Sequence, residues 1–372
     1  MISKLKHTFA KDPVLFVSGL LAAMTVLFVT PSAEYFSYID VRTLALLFAL
    51  MAVVNALARV GVLDAAAGFF VRRAKSMRSL GSMLMLLCYA SSMLITNDVA
   101  LIAFIPLTLI LMHGENKAMM TTVVLQTVAA NLGSMLTPFG NPQNLYLYSA
   151  YQMNGADFFA AVLPTGFVSL LLLMLLCLLL PDRPVTVRTA PLKEAFHMGA
   201  PLFILTGLFL LCVAAVLRFV PYPLAVAGVM VALLLMDRQA LKKVDYHLLI
   251  TFCFFFVFVG NLGQMEAVKN LLGGLLYGRE VFAAAMVSQF VSNVPAALML
   301  SEFTQNGKAL VTGTNIGGLG TLIASMASLI SFKLYVKAQG AQPGKYLKLF
   351  SFVNFSLLAL LLLLALTLFA QL

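Results

Sequence analysis

Long apolar runs, separated by short polar segments, follow one another along almost the whole chain. Runs of roughly 20 apolar residues can cross a bilayer as helices, and a backbone in lipid must satisfy its own hydrogen bonds. The runs fall at residues 13–30, 41–60, 79–113, 118–145, 158–180, 197–217, 222–236, 247–262, 281–301, 309–335 and 349–370. The pattern predicts an all-α polytopic membrane protein with about nine full spans and two helical hairpins.

Two of these runs, 79–113 and 281–301, carry polar residues near their middle. The first holds Thr96, Asn97 and Asp98, and the second holds Ser292 and Asn293. We expect both runs to form re-entrant hairpins, each with its tip inside the membrane. Polar and ionisable groups in a bilayer are costly, so they are candidates for function. The same residues also suit the start of a helix, and a capping role is compatible with a binding role.

Asp98 differs from the other acidic residues of the chain. It alone of the 14 Asp and Glu falls deep in a predicted membrane element. A carboxylate at that depth is a candidate site at which H⁺ and another cation compete. No Lys or Arg falls deep in a predicted span, which argues against binding a trivalent anion by charge alone.

Two further runs contain residues that interrupt a helix. Run 118–145 includes Thr137, Gly140, Asn141 and Asn144 together with Pro138 and Pro142, and proline breaks the helical hydrogen-bond ladder. Run 309–335 includes Thr314, Asn315, Gly317 and Thr321 in a glycine-rich stretch. Unwound backbone at membrane depth is tolerated where it is buried or lines a cavity. Close helix packing through small residues is the alternative explanation for the glycines.

The order of these elements repeats in the second half of the chain. Aligning the hairpins places Asn97 on Asn293, and aligning the broken helices places Asn131 on Asn315. An additional span between the halves makes the second copy start on the opposite face, as in inverted-topology repeats. The predicted division is a first inverted repeat at 1–196, a connecting span at 197–217 and a second inverted repeat at 218–372.

Composition excludes several classes of protein. Hydrophobic residues make up 62% of the 372 and charged residues only 10%, with a mean hydropathy of +0.99, which is incompatible with a soluble domain. The formal net charge of +10 is spread between apolar runs, so it predicts no nucleic-acid partner. The expected partners are the lipid bilayer and a small anion or cation.

The basic residues also predict an orientation, because cytoplasmic loops carry the excess of Lys and Arg. With the N-terminus in the cytoplasm, nineteen of the 24 Lys and Arg lie inside. The C-terminus then lies outside. We expect an integral protein of the cytoplasmic (inner) membrane. The five residues left outside are Arg42, Arg218, Lys269, Arg279 and Lys308.

Three short motifs carry a resemblance to a known group. They are T-N-D-V-A-L at 96–101, T-P-F-G-N-P-Q-N at 137–144 and S-N at 292–293. They resemble signature segments of the ion transporter superfamily, which includes arsenite efflux permeases, NhaD-type sodium/proton antiporters, citrate permeases and divalent anion/sodium symporters. The T-N-D tip is similar to the arsenite and citrate permease branch. The second half has Ser325 and Ser328 where Asn141 and Asn144 align.

The resemblance implies a fold, a mechanism and part of a site. It implies two inverted repeats, a substrate between the hairpin tips and the helix breaks, an elevator movement and a homodimer. It assigns binding positions to Asn97, Thr137, Gly140, Asn144, Ser292, Asn293, Asn315 and Thr321. The residue pattern adds Thr96, Asp98, Asn131, Asn141, Thr314 and Gly317 to the predicted substrate- and cation-binding residues.

The function predicted from the sequence is secondary active transport of a small anion, driven by H⁺ or Na⁺. The substrate is a carboxylate or oxyanion, either citrate- or dicarboxylate-like or arsenite-like. We expect no cofactor, no catalytic residue and no metal beyond a transported Na⁺. An alternative is a Na⁺/H⁺ antiporter that uses Asp98. An ion channel and a membrane-embedded enzyme are further alternatives, although the sequence contains no H-E-x-x-H or G-x-S-x-G motif.

Overall fold

The computed structural model describes residues 13–184 and 199–369. Within these ranges the regular structure is helical throughout, as the sequence predicts for an all-α protein. Residues 1–12, the predicted boundary at 196–197 and residues 370–372 lie outside the described residues, as does the predicted placement of both termini.

The helices are numbered here in chain order. In the first half they are α1 (Pro13–Val26), α2 (Tyr35–Tyr38), α3 (Val41–Val60), α4 (Val62–Val71), α5 (Met77–Leu94), α6 (Asn97–Leu111), α7 (Asn116–Ser134), α8 (Pro142–Ala150) and α9 (Gly155–Cys177). In the second half they are α10 (Ala200–Val216), α11 (Tyr222–Met236), α12 (Arg238–Lys242), α13 (Tyr246–Gly263), α14 (Glu266–Leu276), α15 (Glu280–Val291), α16 (Asn293–Ser301), α17 (Gly307–Gly317), α18 (Met326–Tyr335) and α19 (Pro343–Phe369).

Few of these helices are long enough to cross a membrane alone. Among the described residues, four are both long and apolar enough, namely α3, α9, α13 and α19. Helices α14 and α15 pass the same test only as a pair, and they meet at an angle of 111°. The shorter apolar helices include α1, α4, α6, α10 and α11. The large exposed side chains on the long helices, such as Leu175 and Leu363, suit a lipid environment.

Polar side chains start the helices next to the breaks. Asn141 accepts a hydrogen bond from the Asn144 backbone amide at 2.9 Å, with Pro142 as the first helical residue of α8. Ser325 caps α18 by accepting from the Ala327 amide at 3.2 Å. Such caps satisfy amides that have no partner within the helix. The local sequence therefore explains where each second half-helix begins.

The helices pack as two groups. The hairpin pairs α5–α6 and α15–α16 pack with the broken pairs α7–α8 and α17–α18, and α9 and α19 pack against these helices. Helices α1, α3, α10, α11, α12 and α13 pack with one another as a second group. The groups meet where α3 contacts α8 and where α13 contacts α16. The hairpin tips and helix breaks consequently lie within the first group and beside the second.

Candidate functional site

The two hairpin tips are built differently. Helix α6 begins after Thr96, whose φ of −64° and ψ of 150° are relaxed extended values. Helix α16 begins after Ser292, whose φ of 75° and ψ of 154° fall in a region that glycine normally occupies. The Asn293 amide donates to the Ala324 carbonyl at 2.9 Å, so the second tip is held against the second helix break.

Asn131 on α7 links the first tip to the second break. Its Oδ1 accepts from Asn97 Nδ2 at 3.2 Å and from Ser325 Oγ at 2.9 Å. Its Nδ2 lies 3.4 Å from both the Gly318 carbonyl and Ser328 Oγ. All four bonds leave its own helix, so this buried amide holds the first hairpin and the second break together.

Asn315 on α17 makes the reciprocal connection to the first break. Its Oδ1 accepts from Asn141 Nδ2 at 2.9 Å, and its Nδ2 donates to Asn144 Oδ1 at 2.6 Å. Asn144 Nδ2 donates in turn to the carbonyls of Met135 and Thr137 at 3.2 and 3.0 Å. Side-chain amides thus satisfy carbonyls that the break removes from the helical ladder. The two aligned asparagines each reach the break of the opposite half.

The two threonines of the breaks have matching contacts. Thr137 Oγ1 donates to the Met93 carbonyl at 2.6 Å, and Thr321 Oγ1 donates to the Gln289 carbonyl at 2.9 Å. Each bond fastens a break to the end of the first arm of a hairpin. Thr314 differs, because its hydroxyl donates at 2.7 Å to the Leu310 carbonyl of its own helix.

Gly140 and Gly317 contribute to the site because they lack a Cβ, which allows neighbouring atoms to approach their backbone closely. A Cβ on Gly140 would lie 2.3 Å from the Ser134 carbonyl oxygen, and one on Gly317 would lie 2.7 Å from Ser288 Oγ. Both distances are far below van der Waals contact. These two predicted site residues therefore permit close packing at the breaks.

Two adjoining cavities lie beside the tips. The smaller, called the tip cavity, has a volume of about 40 Å³ and lies between the two hairpin tips. The larger, called the side cavity, has a volume of about 350 Å³. Polar residues of the tip cavity are Asn97, Asp98, Gln143, Asp245, Thr251, Ser292, Asn293 and Ser325. Polar residues of the side cavity are Asn55, Thr96, Asp98, Asn141, Lys243 and Asp245.

Asp98 and Asp245 line both cavities. Asp98 Oδ1 is buried and has no hydrogen-bond partner among the described residues. Asp245 lies in the segment between α12 and α13 and accepts from the Leu248 amide at 3.0 Å. An unsatisfied buried carboxylate oxygen is costly, so the position of Asp98 suits a group that binds a proton or a cation.

Sequence reasoning missed several residues of this site, among them Gln289, Ser325, Lys243 and Asp245. Gln289 donates to the Gly317 and Leu319 carbonyls at 2.9 Å and accepts from the Thr321 amide at 2.9 Å. Its polarity within an apolar run was a visible signal. Ser325 was visible only as a departure from the first half. Lys243 and Asp245 lie in a polar loop, where charged residues are expected and nothing marks their approach to the tips.

Lys243 changes one expectation about charge. No Lys or Arg lies deep in a predicted span, yet Lys243 lines the side cavity together with Asp98. It also lines an adjoining cleft of about 810 Å³, along with Arg59 and Asp64. A positive side chain therefore reaches the cavity from a loop, where the span pattern gave no indication of one.

Comparisons with known proteins agree with these observations. The sequence profile of a family described as "Citrate transporter" matches residues 10–306. An uncharacterized transporter of Methanocaldococcus jannaschii is 34% identical over 309 residues, which are 81% of this chain and 83% of the relative. Inner membrane protein YbiR of Escherichia coli is 29% identical over 300 residues, 80% of each chain. The crystal structure of the Alcanivorax borkumensis YdaH transporter aligns with a TM-score of 0.62 and 14% identity, over 95% of this chain and 96% of YdaH.

Proposed function

The chain belongs to the citrate transporter family, and from this premise we propose that it is a secondary active transporter of a small anion, coupled to H⁺ or Na⁺. It is an all-α membrane transporter. The proposed substrate is a carboxylate or an oxyanion, either citrate- or dicarboxylate-like or arsenite-like.

One observation carries the proposal: two helix breaks, joined across the halves by Asn131 and Asn315, lie next to a cavity of about 350 Å³ whose mostly apolar wall carries a few polar and charged side chains. That volume is within the range of small-molecule sites. Half-helix starts next to a cavity offer free amides and a positive dipole end to an anion. Lys243 supplies a full positive charge in the same cavity.

The coupling ion is proposed to act at Asp98. Its buried Oδ1 has no hydrogen-bond partner among the described residues, and a proton or a cation would supply one. The same observation supports a second candidate function, a Na⁺/H⁺ antiporter that uses Asp98 directly. An antiporter needs no anion, and this distinguishes the two functions by experiment.

The inverted repeat and the elevator movement are part of the proposal. Support comes from the reciprocal bonds of Asn131 and Asn315, which reach Ser325 in one break and Asn141 in the other. It also comes from the packing of hairpins and breaks in one group beside a second group. We propose that the first group moves against the second. A homodimer is proposed from the resemblance alone.

The proposed location is the cytoplasmic membrane, with Arg59 inside and Arg42 outside. Arg59 pairs with Asp237 at 2.8 Å, at the end of α11. Arg42, at the opposite end of α3, donates to the Ala215 carbonyl near the end of α10 at 3.2 Å. These contacts keep each end of α3 beside residues that the charge distribution assigns to the same face.

Ligand-dependent stability of the detergent-purified protein tests the function first. Carboxylates, arsenite and sulfate are screened with and without Na⁺ at several pH values. A ligand at a hundred times its dissociation constant should add about 2.7 kcal/mol of stability. We expect one anion to stabilise only with Na⁺ or acid, and gradient-driven uptake of that anion into proteoliposomes should then follow.

Two outcomes would contradict anion transport. If Na⁺ alone stabilises the protein, competes with H⁺, and no anion has an effect or is taken up, the antiporter is the correct function. Turnover of a substrate without any gradient would indicate an enzyme instead.

A further inference from the structure

The two adjoining cavities differ in size in a way that separates two kinds of ligand. The tip cavity, of about 40 Å³, has room for a small ion or a few waters. The side cavity, of about 350 Å³, is large enough for a small organic anion. Asp98 and Asp245 line both cavities. Whatever neutralises these carboxylates in the tip cavity therefore changes the charge in the side cavity.

The tip cavity is rich in oxygen-bearing side chains. Besides the two carboxylates, Thr251, Ser292 and Asn293 line it. Oxygen atoms of carboxylates, hydroxyls and amides are the ligands that hard cations prefer. Asp98 Oδ1 is buried without a hydrogen-bond partner among the described residues. Asp245 is more exposed than Asp98, and its Oδ1 accepts from the Leu248 amide at 3.0 Å.

Among the described residues, neither Asp98 nor Asp245 forms an ion pair. Lys243 lines the side cavity, but within the described part of the chain it forms no ion pair with either aspartate. In the adjoining cleft Arg59 is paired with Asp237 at 2.8 Å, and Asp64 adds a further negative charge. Two like charges that face one small cavity repel each other, and a cation between them removes that repulsion.

We propose that Na⁺ occupies the tip cavity, with Asp98 from the first hairpin and Asp245 from the start of α13 as its charged ligands. The inference rests on the proposed function and names its coupling ion. Bound Na⁺ cancels one of the two negative charges of Asp98 and Asp245. An anion next to Lys243 in the side cavity is then repelled less by these carboxylates. Binding of the cation thereby raises the affinity for the anion, and linkage makes the effect reciprocal.

Asp245→Asn is the sharpest variant, because asparagine keeps the oxygen that accepts from the Leu248 amide and removes only the charge. Asp40→Asn is the matched control. Asp40 likewise caps α3 by accepting from the Thr43 amide at 3.0 Å, and its second oxygen accepts from the Thr43 hydroxyl. Any general effect of replacing a carboxylate cap should appear in both variants.

The measurement is the thermal stability of detergent-purified protein during titration with Na⁺, with K⁺ replacing it at constant ionic strength. We expect Na⁺, and not K⁺, to stabilise the wild type and Asp40→Asn. In Asp245→Asn the Na⁺ concentration for half-maximal stabilisation should rise about tenfold or more, a size typical of coupled sites. Without Na⁺, the two variants should melt within a few degrees of each other.

The outcomes separate this inference from the proposed function. If the wild type transports an anion but Na⁺ neither stabilises it nor drives uptake, the Na⁺ site is wrong and anion transport stands. An unchanged Na⁺ titration in Asp245→Asn also overturns the assignment. If Na⁺ binding depends on Asp245 but no anion is bound or transported, the cation site stands and the anion function fails.

Discussion

Each half of the chain contains a hairpin tip and a helix break, but the two halves differ in the side chains and backbone conformations found there. The first break uses prolines and the amides of Asn141 and Asn144, whereas the second uses glycines and the hydroxyls of Ser325 and Ser328. The first tip carries the carboxylate of Asp98 on a relaxed backbone. The second tip carries no charge, and its backbone is strained at Ser292.

This difference indicates that the two halves have different roles, with the charged group in the first half and a rigidly held break in the second. Under the proposed function, the cation acts at the first tip, where Asp98 carries the charge, and the uncharged second tip forms a fixed side of the site. Gln289 contributes to that side, because its amide group binds the Gly317 and Leu319 carbonyls and the Thr321 amide together. A side chain that satisfies three backbone groups leaves little freedom to the second break.

The largest expected effect is the loss of coupling when the charge of the first tip is removed. Asp98→Asn should reduce the dependence of anion uptake on the Na⁺ or H⁺ gradient by about tenfold or more. Uptake into proteoliposomes with and without each gradient measures the change. Asp157→Asn is the control, because Asp157 pairs with Lys308 at the exposed start of α9. Loss of all exchange together with indifference to anions would favour an antiporter.

The next largest effect is the loss of stability expected when a Cβ is added to a closely packed glycine of either break. A Cβ on Gly140 would meet a backbone carbonyl at 2.3 Å, whereas on Gly318 it would meet the Asn293 side chain at 2.9 Å. Backbone moves less readily than a side chain, so Gly140→Ala should lower stability by roughly 3 kcal/mol and Gly318→Ala by less. Denaturation of the purified variants tests the order. Gly155→Ala, whose nearest neighbour would be 4.0 Å away, should be nearly neutral.

A smaller effect is expected when one connection between the halves is removed. Asn315→Ala removes the partner of Asn144 Oδ1 and one partner of Asn141 Nδ2. A buried polar group left unpaired costs about 2 kcal/mol. Ser325→Ala removes the cap of α18 but leaves Asn131 Oδ1 bonded to Asn97, so it should cost less, about 1 kcal/mol. Equal losses of stability in the two variants would contradict the unequal chemistry of the breaks.

The smallest expected effect is the change in stability when glycine replaces the residue before each second hairpin arm, and it has opposite signs at the two tips. Ser292→Gly should raise stability by about 1 kcal/mol, because glycine adopts φ of 75° and ψ of 154° without strain. Thr96→Gly should lower stability, since Thr96 already has relaxed angles and glycine loses more entropy on folding. Melting temperatures of the two variants provide the comparison. A destabilised Ser292→Gly would show that its hydroxyl matters more than its backbone.

The sequence was informative wherever local chemistry decides the structure. Pro138 and Pro142 predict the first break, the glycines around Gly317 predict the second, and Ser292 precedes a helix that begins at Asn293. Each of these effects depends on residues only a few positions apart. The hydrophobic pattern also identified the all-α membrane class, and the resemblance of the short motifs identified the transporter family.

Contacts between distant residues could not be derived in the same way. Nothing in the sequence states that Asn131 bonds Ser325, or that Asn315 bonds Asn141. The hydrophobic pattern reports whether a segment is apolar, but not which loop approaches it. Lys243 and Asp245 were missed for that reason, since a charged loop ordinarily faces water.

The crossed asparagine bonds also bear on how the protein is synthesised. Asn144 and its partner Asn315 are 171 positions apart, a distance that a ribosome covers in roughly 10 to 30 s at about 5 to 20 residues per second. During that interval the first break has none of its partners from the second half. We therefore expect the newly made first half to stay dependent on the insertion machinery or a chaperone until α17 has emerged.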